Sequence, residues 1–581
     1  MSVNTALQDK FEKVNMFRTC EQCGLCSSAC PMTGKSGFNV RRILKHVELD
    51  LESELASTPW AWLCTTCGRC ETVCPNGIAI LDIMRPLRAQ TNADCSPPDG
   101  PPPCVRACPG GIDIPGYMRL IALGKPQEAY ELILERVCLP GVLGRVCTHP
   151  CESQCRRNEV NGPVSICALK RYAADHALEP PASAMKTAPD TGHKVAVVGS
   201  GPAGLAAAYF LRKKGHAVTV LEARSKAGGM LRYGIPAYRL PEEALDRDIK
   251  VILDMGVEIK TSQAFGKDFD LEGLKSQGYE AVFMGLGLQT SRRIPLDGSD
   301  HNDVLWGLDF LTGVRDGQGI ALKNNVLVIG GGNVAVDVAL TALRQGAGKV
   351  TMACLESFDE MPANSWDIEM AQDEGVEILN SWGPQKVVAE GAVIKGLDMV
   401  KCTSVFNDQC LFAPEFDEAS QNFVEADQII LAIGQAANLD CLNSKDECSI
   451  TSGLIQADAE TQATSTPNVY AGGDAAHGPK TVIEAIASGK RAASAIDKSL
   501  GGDGVVEPEA YTSADGIEYD GAREKGFADI ERAHQPSLPL DERQANKYAE
   551  VELCFAEDVA KREAFRCFQC DLEKKLVLAM K

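Results

Sequence analysis

Val195-Ala-Val-Val-Gly199-Ser-Gly201-Pro-Ala-Gly204 carries the clearest fold signal in this 581-residue chain. The order is strand, glycine turn and helix, and the glycines let the backbone approach a pyrophosphate that rests on the helix N-terminus. Glu222 ends the next strand, at the distance where a carboxylate accepts ribose hydroxyls. Strands and helices then alternate to about residue 500, which predicts α/β domains with parallel sheets. We therefore expect a dinucleotide at Gly199, Gly201, Gly204 and Glu222.

Cysteines dominate the N-terminal part, where sixteen of the twenty-four lie in the first 167 residues. Two runs share one spacing, Cys20-x2-Cys23-x2-Cys26-x3-Cys30-Pro31 and Cys64-x2-Cys67-x2-Cys70-x3-Cys74-Pro75. Three thiolates on one loop can cap a face of a [4Fe–4S] cubane, and the cysteine before proline ligates the other cluster of a pair. Zinc or disulfides are the alternative, but zinc sites rarely show this four-cysteine rhythm. The predicted ligand sets are Cys20, Cys23, Cys26 and Cys74 for one cluster, and Cys64, Cys67, Cys70 and Cys30 for the other.

Charge and hydropathy narrow the functional classes. A net charge of −21 argues against a nucleic-acid partner and against docking on an anionic membrane. No stretch approaches the ~20 apolar residues of a membrane span, and the N-terminal sequence MSVNTALQDKFEK has no apolar signal region. Because a cysteine-rich chain without a signal is typical of a reducing compartment, we expect a cytoplasmic protein.

A second set of eight cysteines follows the first, enough for two more cubanes. Its segments, Cys104-x3-Cys108-Pro and Cys147-x3-Cys151-Glu-x2-Cys155-Arg, resemble the N-terminal iron–sulfur domain of the glutamate synthase small subunit and of dihydropyrimidine dehydrogenase. That family has two [4Fe–4S] clusters there, and its members usually carry a CxxC upstream of the Cys104 position, where only Cys95 is available. The resemblance implies one grouping of Cys95, Cys104, Cys138 and Cys155, and another of Cys108, Cys147, Cys151 and Cys167. The alternative that Cys138 and Cys167 are simply buried thiols stays open.

Two further segments point to FAD through the same resemblance. Thr466-Pro-Asn-Val-Tyr-Ala-Gly472-Gly473-Asp474 resembles the second FAD motif of two-dinucleotide-binding flavoproteins, and a helix from Thr481 would aim its positive N-terminus at the flavin. Gly228-Gly229-Met230-Leu231-Arg232-Tyr233-Gly234-Ile235-Pro236 is close to a signature of the glutamate synthase small-subunit family. The FAD-binding residues that this resemblance implies are Gly229, Met230, Arg232, Gly473, Asp474 and Thr481.

A second glycine loop, Val326-Leu-Val-Ile-Gly330-Gly331-Gly332-Asn333-Val-Ala335-Val-Asp337, looks like the family's nicotinamide domain. The resemblance places the nicotinamide dinucleotide at Gly330, Gly332, Asn333 and Ala335. NADPH-using members follow the next strand with arginines that grip the 2′-phosphate, whereas Leu355, Glu356 and Phe358 stand here. Because Glu356 can accept a bond from a 2′-hydroxyl, we expect NADH to be preferred by at least ~1.4 kcal/mol, roughly tenfold. The alternative is that Glu356 lies on a solvated edge and that selectivity for the nicotinamide comes from elsewhere.

The expected fold is multidomain, with α-helical iron–sulfur domains followed by α/β flavoprotein domains in which the NAD domain is nested within the FAD domain. The N-terminal module resembles the two-cluster ferredoxin of heterodisulfide reductase C subunits and of succinate dehydrogenase iron–sulfur proteins. The predicted domains are 1–90 (helical ferredoxin), 91–190 (second iron–sulfur domain), 191–320 with 441–500 (FAD), 321–440 (NAD) and 501–581 (a tail with a CxxC). In that tail, Cys554, Cys567 and Cys570 offer three thiols, which are either capped by another subunit or a structural vestige.

These features predict the electron-input subunit of a redox complex, which oxidises NADH (or NADPH) at FAD and passes single electrons through four [4Fe–4S] clusters to another redox subunit or a ferredoxin-like acceptor, or works in reverse. Hydride transfer to flavin needs no protein acid or base, so no catalytic residue is predicted. Two alternatives stay open: a glutamate synthase small subunit, and a redox sensor or scaffold without turnover.

Overall fold

The computed structural model describes residues 17–96, 100–178, 186–442 and 448–580. They divide into two units, each assembled from separate parts of the chain. The cysteine-rich unit takes its described residues from Met1–Ala184, Pro508–Gln535 and Cys554–Lys581, and the nucleotide-binding unit takes them from Met185–Glu507 and Pro536–Leu553. The finer domain boundaries drawn from the sequence stay predictions.

The cysteine-rich unit is built from short helices, because cysteine loops, prolines and glycines interrupt its apolar patterns. In Val40–Glu48 the residues Val40, Ile43, Leu44 and Val47 are buried on one face, and the Asn39 side chain caps the helix by accepting from the Arg42 N–H at 3.1 Å. Its α-helices are Leu25–Ala29, Val40–Glu48, Glu52–Ala56, Trp60–Leu63, Arg69–Thr72, Ile80–Gln90, Pro103–Arg106, Ile114–Ala122, Pro126–Leu134, Pro140–Val146, Pro150–Ser153, Asn158–Asn161, Ile166–His176, Glu557–Phe565 and Cys570–Leu578.

The nucleotide-binding unit contains two five-stranded parallel sheets. The first has the strand order Val469–Ala471, Ala281–Met284, Lys194–Val198, Ala217–Leu221 and Glu258–Lys260. The second has the order Val304–Trp306, Gln428–Leu431, Asn325–Ile329, Lys349–Ala353 and Glu377–Leu379. In both, the central strand leads into one of the glycine loops, so the predicted fold class is confirmed.

The helices of this unit cover the two sheets, and the longest, Val482–Ser499, packs on Pro202–Lys213. Its remaining α-helices are Met230–Tyr233, Glu242–Asp254, Leu271–Ser276, Gly307–Arg315, Asn333–Arg344, Ser365–Asp373, Asp474–His477 and Leu540–Ala545. An antiparallel sheet of Trp382–Glu390, Val393–Phe406 and Phe412–Glu425 lies in the chain between two strands of the second parallel sheet, Glu377–Leu379 and Gln428–Leu431. Two short ribbons pair Thr290–Ser291 with Gln435–Ala436 and Ile450–Thr451 with Leu454–Ile455.

The sequence predicts a helical C-terminal tail from Asp541 to Leu576, and the structure is helical there with two interruptions. The structure has three helices there, Leu540–Ala545, Glu557–Phe565 and Cys570–Leu578. The first break exists because the Val551 N–H donates to the Tyr238 carbonyl at 3.0 Å and the Leu553 N–H to the Pro536 carbonyl at 2.7 Å, rather than along a helix. The second break is at Gln569, whose φ of 52° is left-handed.

None of the helices in the described parts of the chain has the length and apolarity that crossing a membrane requires.

Candidate functional site

A cavity of about 580 Å³ lies at the carboxyl ends of the strands of the first sheet, around the loop after Val198. This edge of a parallel sheet is where dinucleotides bind in such folds. The loop begins where the Gly199 N–H donates to the Leu221 carbonyl at 2.8 Å. The residues of the predicted FAD site that line the cavity are Gly199, Gly201, Glu222, Gly229, Met230, Gly473, Asp474 and Thr481.

The loop glycines have two different roles. A Cβ on Gly204 would overlap the Gly199 carbonyl oxygen, so this position lets the helix Pro202–Lys213 pack closely against the loop. A Cβ on Gly201 would meet no atom within 4 Å, so this position leaves open space at the helix N-terminus. Because backbone N–H groups and the helix dipole favour an anion there, this open space fits a pyrophosphate.

Glu222 is held at the end of its strand by three hydrogen bonds. Its Oε2 accepts from the Ser200 N–H at 3.0 Å and from Ser200 Oγ at 2.5 Å, and its Oε1 accepts from the Arg224 N–H at 2.8 Å. Ser200 Oγ in turn accepts from the Gly228 N–H at 3.0 Å. Ser200 therefore joins the carboxylate to the Gly228–Gly229 turn, a role that the sequence did not suggest.

Asp474 and the helix Val482–Ser499 form another side of the cavity. Burial raises the pKa of the Asp474 carboxyl to about 6, although the Lys480 N–H donates to its Oδ1 at 3.2 Å. Thr481 caps the helix: its Oγ1 accepts from the Glu484 N–H at 3.4 Å, and Glu484 Oε2 accepts from the Thr481 N–H at 2.9 Å. The positive end of an 18-residue helix therefore borders the cavity.

Arg232 is buried beside the turn that precedes it. Its Nε donates to the Ala227 carbonyl at 2.8 Å, and its guanidinium pairs with Glu242 at 3.2 Å and also with Asp246. These contacts hold the Gly228–Met230 segment in place. Direct contact between Arg232 and a cofactor stays a prediction.

The second glycine loop follows the strand Asn325–Ile329. The Gly330 N–H donates to the Ala353 carbonyl at 2.9 Å, and Gly332 precedes the first residue of the helix Asn333–Arg344. Asn333 Oδ1 accepts from the Asn364 N–H at 2.8 Å, and Ala335 is completely buried. The structure thus repeats the strand, turn and helix of a dinucleotide site at Gly330, Gly332, Asn333 and Ala335.

Glu356 lies against this second loop. Its Oε2 is 2.6 Å from the place where a Cβ on Gly331 would be, so the carboxylate is next to the turn. The Ser381 N–H donates to the Glu356 carbonyl at 2.9 Å and fixes the backbone there. Glu356 therefore places a carboxylate beside the second glycine loop.

The cysteines of the two N-terminal runs come together across the runs. Cys20, Cys23, Cys26 and Cys74 line one small cavity. Cys30 lies instead with the second run. Burial raises the pKa of the Cys30 thiol to about 11, and the charges of Cys64 and Cys67 add to this rise. Burial also raises the pKa of Cys70, and Cys64, Cys67 and Cys30 add to that rise. The fourth cysteine of each run thus lies with the other run.

Four cysteines of the second set surround one buried lysine, Lys170. Burial alone would lower the pKa of its ammonium group, but the charges of nearby thiols raise it above its ordinary value. These thiols are Cys147, Cys167, Cys151 and Cys108. The packing of Pro140–Val146 on Ile166–His176 brings the set together, since a Cβ on Gly144 would be 2.5 Å from the Arg171 Cα.

Of the other four cysteines of the second set, Cys104 and Cys155 lie close enough to interact electrostatically. Burial raises the pKa of the Cys104 thiol, and the charges that add to this rise are, in order, those of Cys570, Cys155, Cys567 and Cys151. The structure therefore brings the C-terminal CxxC, which the sequence left without a role, to Cys104 and Cys155. Cys95 ends the turn Ala93–Cys95 and Cys138 is completely buried, and their predicted role as ligands stays a prediction.

Within the described ranges, no three His, Cys, Asp or Glu side chains converge closely enough to hold a single metal ion. Four sulfurs around a cubane are farther apart than four sulfurs around one zinc ion, because each sulfur binds a different iron.

Comparisons with known protein families match three successive parts of the chain. The pyridine nucleotide-disulphide oxidoreductase profile matches residues 193–489. The profile described as dihydropyrimidine dehydrogenase domain II, 4Fe-4S cluster, matches residues 83–181, and the 4Fe-4S dicluster domain matches residues 16–78.

Similar proteins cover most of the chain. The NADP(+)-dependent formate dehydrogenase subunit beta of Moorella thermoacetica is 37% identical over 82% of this chain and 71% of its own length. The NAD-dependent dihydropyrimidine dehydrogenase subunit PreT of Escherichia coli K12 is 35% identical over 69% of this chain and 91% of its own. The glutamate synthase [NADPH] small chain of the same bacterium is 34% identical over 72% of this chain and 93% of its own.

Proposed function

The chain belongs to the pyridine nucleotide-disulphide oxidoreductase family, and from that membership we propose that it oxidises NADH at FAD and passes single electrons through four [4Fe–4S] clusters to a redox partner, or runs this transfer in reverse. Membership of this family shows that the chain is an NAD(P)H oxidoreductase with iron–sulfur domains. The resemblance to the glutamate synthase small subunit is confirmed. The choice of NADH, the number of clusters, the binding residues and the partner are the proposal.

The observation that carries the proposal is the cavity around Gly201, Glu222 and Asp474. Bound there, FAD supplies the conversion of a two-electron hydride into single electrons, each of which a [4Fe–4S] cluster can carry. The open space at Gly201 would take the pyrophosphate, and the fixed carboxylate of Glu222 would accept from the ribose. The N-terminus of Val482–Ser499 provides a positive end for negative charge on the cofactor.

Three ligand sets are proposed on the thiol groups that the structure brings together. They are Cys20, Cys23, Cys26 and Cys74; Cys64, Cys67, Cys70 and Cys30; and Cys108, Cys147, Cys151 and Cys167. A thiol loses its proton when it binds iron as a thiolate. Burial disfavours the charge of a free thiolate, so burial of these thiols favours the cluster-bound thiolate over the free one.

Glu356 supports NADH as the nicotinamide. A 2′-hydroxyl placed beside the second loop could donate to this carboxylate, whereas a 2′-phosphate would meet its negative charge. The relatives include proteins named for NADP, for NAD and for NADPH, so kinship does not decide the matter. We propose a preference of at least about tenfold, or ~1.4 kcal/mol.

A redox partner is proposed because the relatives are named as subunits or as the small chain of an enzyme. Its chemistry is that of a one-electron acceptor or donor.

The test is anaerobic mixing of the purified, FAD- and iron-loaded chain with NADH or NADPH, followed by flavin and cluster absorbance. We expect bleaching at least tenfold more efficient with NADH. Glu356→Gln should bring the two efficiencies to within about threefold, since the charge is lost and the shape kept. The control is Glu390→Gln, an exposed glutamate of the antiparallel sheet, which should keep the preference.

Absence of bleaching by either nucleotide would contradict the proposed function as a whole. Equal efficiency of NADPH, or an unchanged preference in Glu356→Gln, would contradict the assignment of NADH to Glu356 and leave the rest standing.

A further inference from the structure

The C-terminal Cys567-Phe-Gln-Cys570 loop has the same backbone geometry as two loops in the proposed ligand sets. In each, the N–H two residues after a cysteine donates to that cysteine's Sγ: Thr66 to Cys64 at 3.4 Å, His149 to Cys147 at 3.4 Å, and Gln569 to Cys567 at 3.5 Å. The donor residues all have left-handed φ angles, of 58°, 41° and 52°.

A fourth loop follows a related pattern. Gln22, two residues after Cys20, has a φ of 56°, and its side-chain amide donates to Cys20 Sγ at 3.4 Å. A left-handed residue other than glycine is uncommon, and asparagine and aspartate are the usual exceptions. Its repeated use to turn a donor toward a sulfur fits a cluster site, where hydrogen bonds to the ligand sulfurs stabilise their negative charge.

The Cys567 loop is fixed in place by buried arginines. Arg566 is completely buried and donates to the carbonyls of Pro163 at 3.0 Å and Gly162 at 2.9 Å. Arg157, two residues after Cys155, donates to the Arg566 carbonyl at 3.3 Å and lies 5.1 Å from the centre of the Phe568 ring. The loop is therefore anchored to the segment that carries Cys155.

A second anchor reaches the loop from the helix Ile114–Ala122. Arg119 Nη1 donates to Gln569 Oε1 at 2.6 Å and to Asp571 Oδ2 at 2.7 Å. These bonds hold Gln569 in the left-handed conformation that aims its N–H at Cys567. Buried or half-buried arginines therefore anchor the loop from two sides.

The helix Pro103–Arg106, which carries Cys104, packs on Pro150–Ser153, just before Cys155. Burial raises the pKa of Cys104, and the thiols that add to this rise are, in order, those of Cys570, Cys155, Cys567 and Cys151. Burial also raises the pKa of Cys567, and Cys570 and Cys155 add to that rise. Positive charge is close as well: Arg566 acts on Cys155, and Arg156 acts on Cys570. Two guanidinium groups therefore offset part of the negative charge that four thiolates would bring.

We propose that Cys104, Cys155, Cys567 and Cys570 are the ligands of the fourth [4Fe–4S] cluster, in place of the grouping of Cys104 and Cys155 with Cys95 and Cys138. The proposal rests on the proposed function for the type of cluster and extends it to the C-terminal tail. Each thiol loses one proton and bonds one iron of a preassembled [4Fe–4S] cluster, displacing the terminal ligand that this iron held before, so the exchange of ligands changes no oxidation state.

The first experiment counts iron and acid-labile sulfide in the full chain after anaerobic reconstitution. At four irons per cubane, the unaltered chain should hold about 16, and Cys567→Ala with Cys570→Ala should hold about 12. Cys95→Ala should keep about 16, and so should Cys554→Ala, which removes a tail cysteine outside the proposed set. Loss of four irons in Cys95→Ala, with none lost in the tail variant, would overturn the proposal.

The second experiment needs no variant and so does not depend on folding of an altered tail. Alkylation followed by mass spectrometry should find Cys104, Cys155, Cys567 and Cys570 protected in the iron-loaded chain and labelled after chelation. Cys410, which is exposed, should be labelled in both states. Labelling of Cys567 and Cys570 in the fully iron-loaded chain would overturn the proposal. Flavin bleaching by NADH reports separately on the proposed function, so the two can fail independently.

Discussion

At the scale of the residue, Asp474 shows how the nucleotide-binding unit prepares for a charged ligand. Burial in the cavity wall raises the pKa of its carboxyl from 3.8 to about 6, and the hydrogen bond from the Lys480 N–H opposes this only in part. A neutral Asp474 can donate to a phosphate oxygen, whereas a charged one would repel it. A pyrophosphate nearby would favour the protonated form further.

Asp474 should make the FAD-free chain more stable at lower pH. Its folded pKa lies above the unfolded value, so its stabilising contribution is present below 3.8 and is lost as the pH rises through about 6. We expect the melting temperature of the FAD-free nucleotide-binding unit to fall by a few degrees, on the order of 2–4 °C, from this group as the pH rises from 5 to 7. Asp474→Asn should flatten that dependence, whereas Asp503→Asn, at an exposed aspartate, should not. An unchanged pH dependence in Asp474→Asn would exclude this role.

At the scale of the element, one carboxylate joins the helix Cys570–Leu578 to the helix Ile80–Gln90. Glu573, 5% exposed, pairs with Arg85 at 3.0 Å and Arg523 at 3.1 Å, and accepts from Tyr519 Oη at 2.7 Å. Arg88 is 3.8 Å away. Burial would raise the pKa of Glu573, but the hydrogen bond and charge of Arg85 hold it below its ordinary value, so the carboxylate stays charged.

Removing this charge should destabilise the cysteine-rich unit strongly. Glu573→Gln leaves buried guanidinium groups without their counter-charge, which we expect to cost about 3–5 kcal/mol. Glu557→Gln is the matched control, because its pair with Lys561 is exposed and its loss should leave the urea midpoint nearly unchanged. Urea unfolding followed by circular dichroism measures both, and equal midpoints for the two variants would contradict the prediction.

The elements also show what local sequence patterns can predict. The sequence pattern predicts helices over Ile114–Leu123 and Pro126–Arg136, and the helices Ile114–Ala122 and Pro126–Leu134 begin at those residues because a proline and an apolar stripe mark each start. The pattern also predicts a helical tail from Asp541 to Leu576, but not where its helices end. Its breaks depend on Tyr238 and Arg119, which are hundreds of residues away and leave no mark on the local pattern.

The same reasoning separates the site residues. Glu222 and Glu356 were found from their places at strand ends, where the fold dictates the position of the side chain. The crossed grouping of Cys30 and Cys74 follows from spacing alone. The sequence does not predict the role of Ser200 or the pairing of Cys567 with Cys104. Neither a lone serine nor a distant CxxC indicates which residue it contacts in the fold.

At the scale of the whole molecule, the chain forms two units with different cofactor chemistry, and each is assembled from segments that are distant in sequence. The fold class and the order of sites were predictable, since glycine loops and cysteine runs are local. The division of the tail between the two units was not, because it depends on contacts that sequence periodicity does not encode.

The two units should respond separately to loss of their cofactors. A ligand that binds only the folded state stabilises the unit that holds it. Calorimetry of the loaded chain should therefore show two transitions, with iron chelation lowering the one and FAD removal lowering the other. Variants Glu573→Gln and Asp474→Asn identify which transition is which. A single transition shifted equally by both treatments would contradict this division.

The division also sets the order in which the protein can be made. The nucleotide-binding unit is complete when Leu553 has been translated, but the cysteine-rich unit, although it begins at the N-terminus, needs residues up to the very end. At ribosomal rates of about 5–20 residues per second, the first sixteen cysteines wait roughly 20–80 seconds for Cys567 and Cys570. A nascent chain would thus carry reactive thiols while its second half is still being built, and a prematurely terminated chain could never close its iron-binding half. Synthesis of Cys567 and Cys570 would thus set the earliest time at which the fourth proposed cluster could be bound.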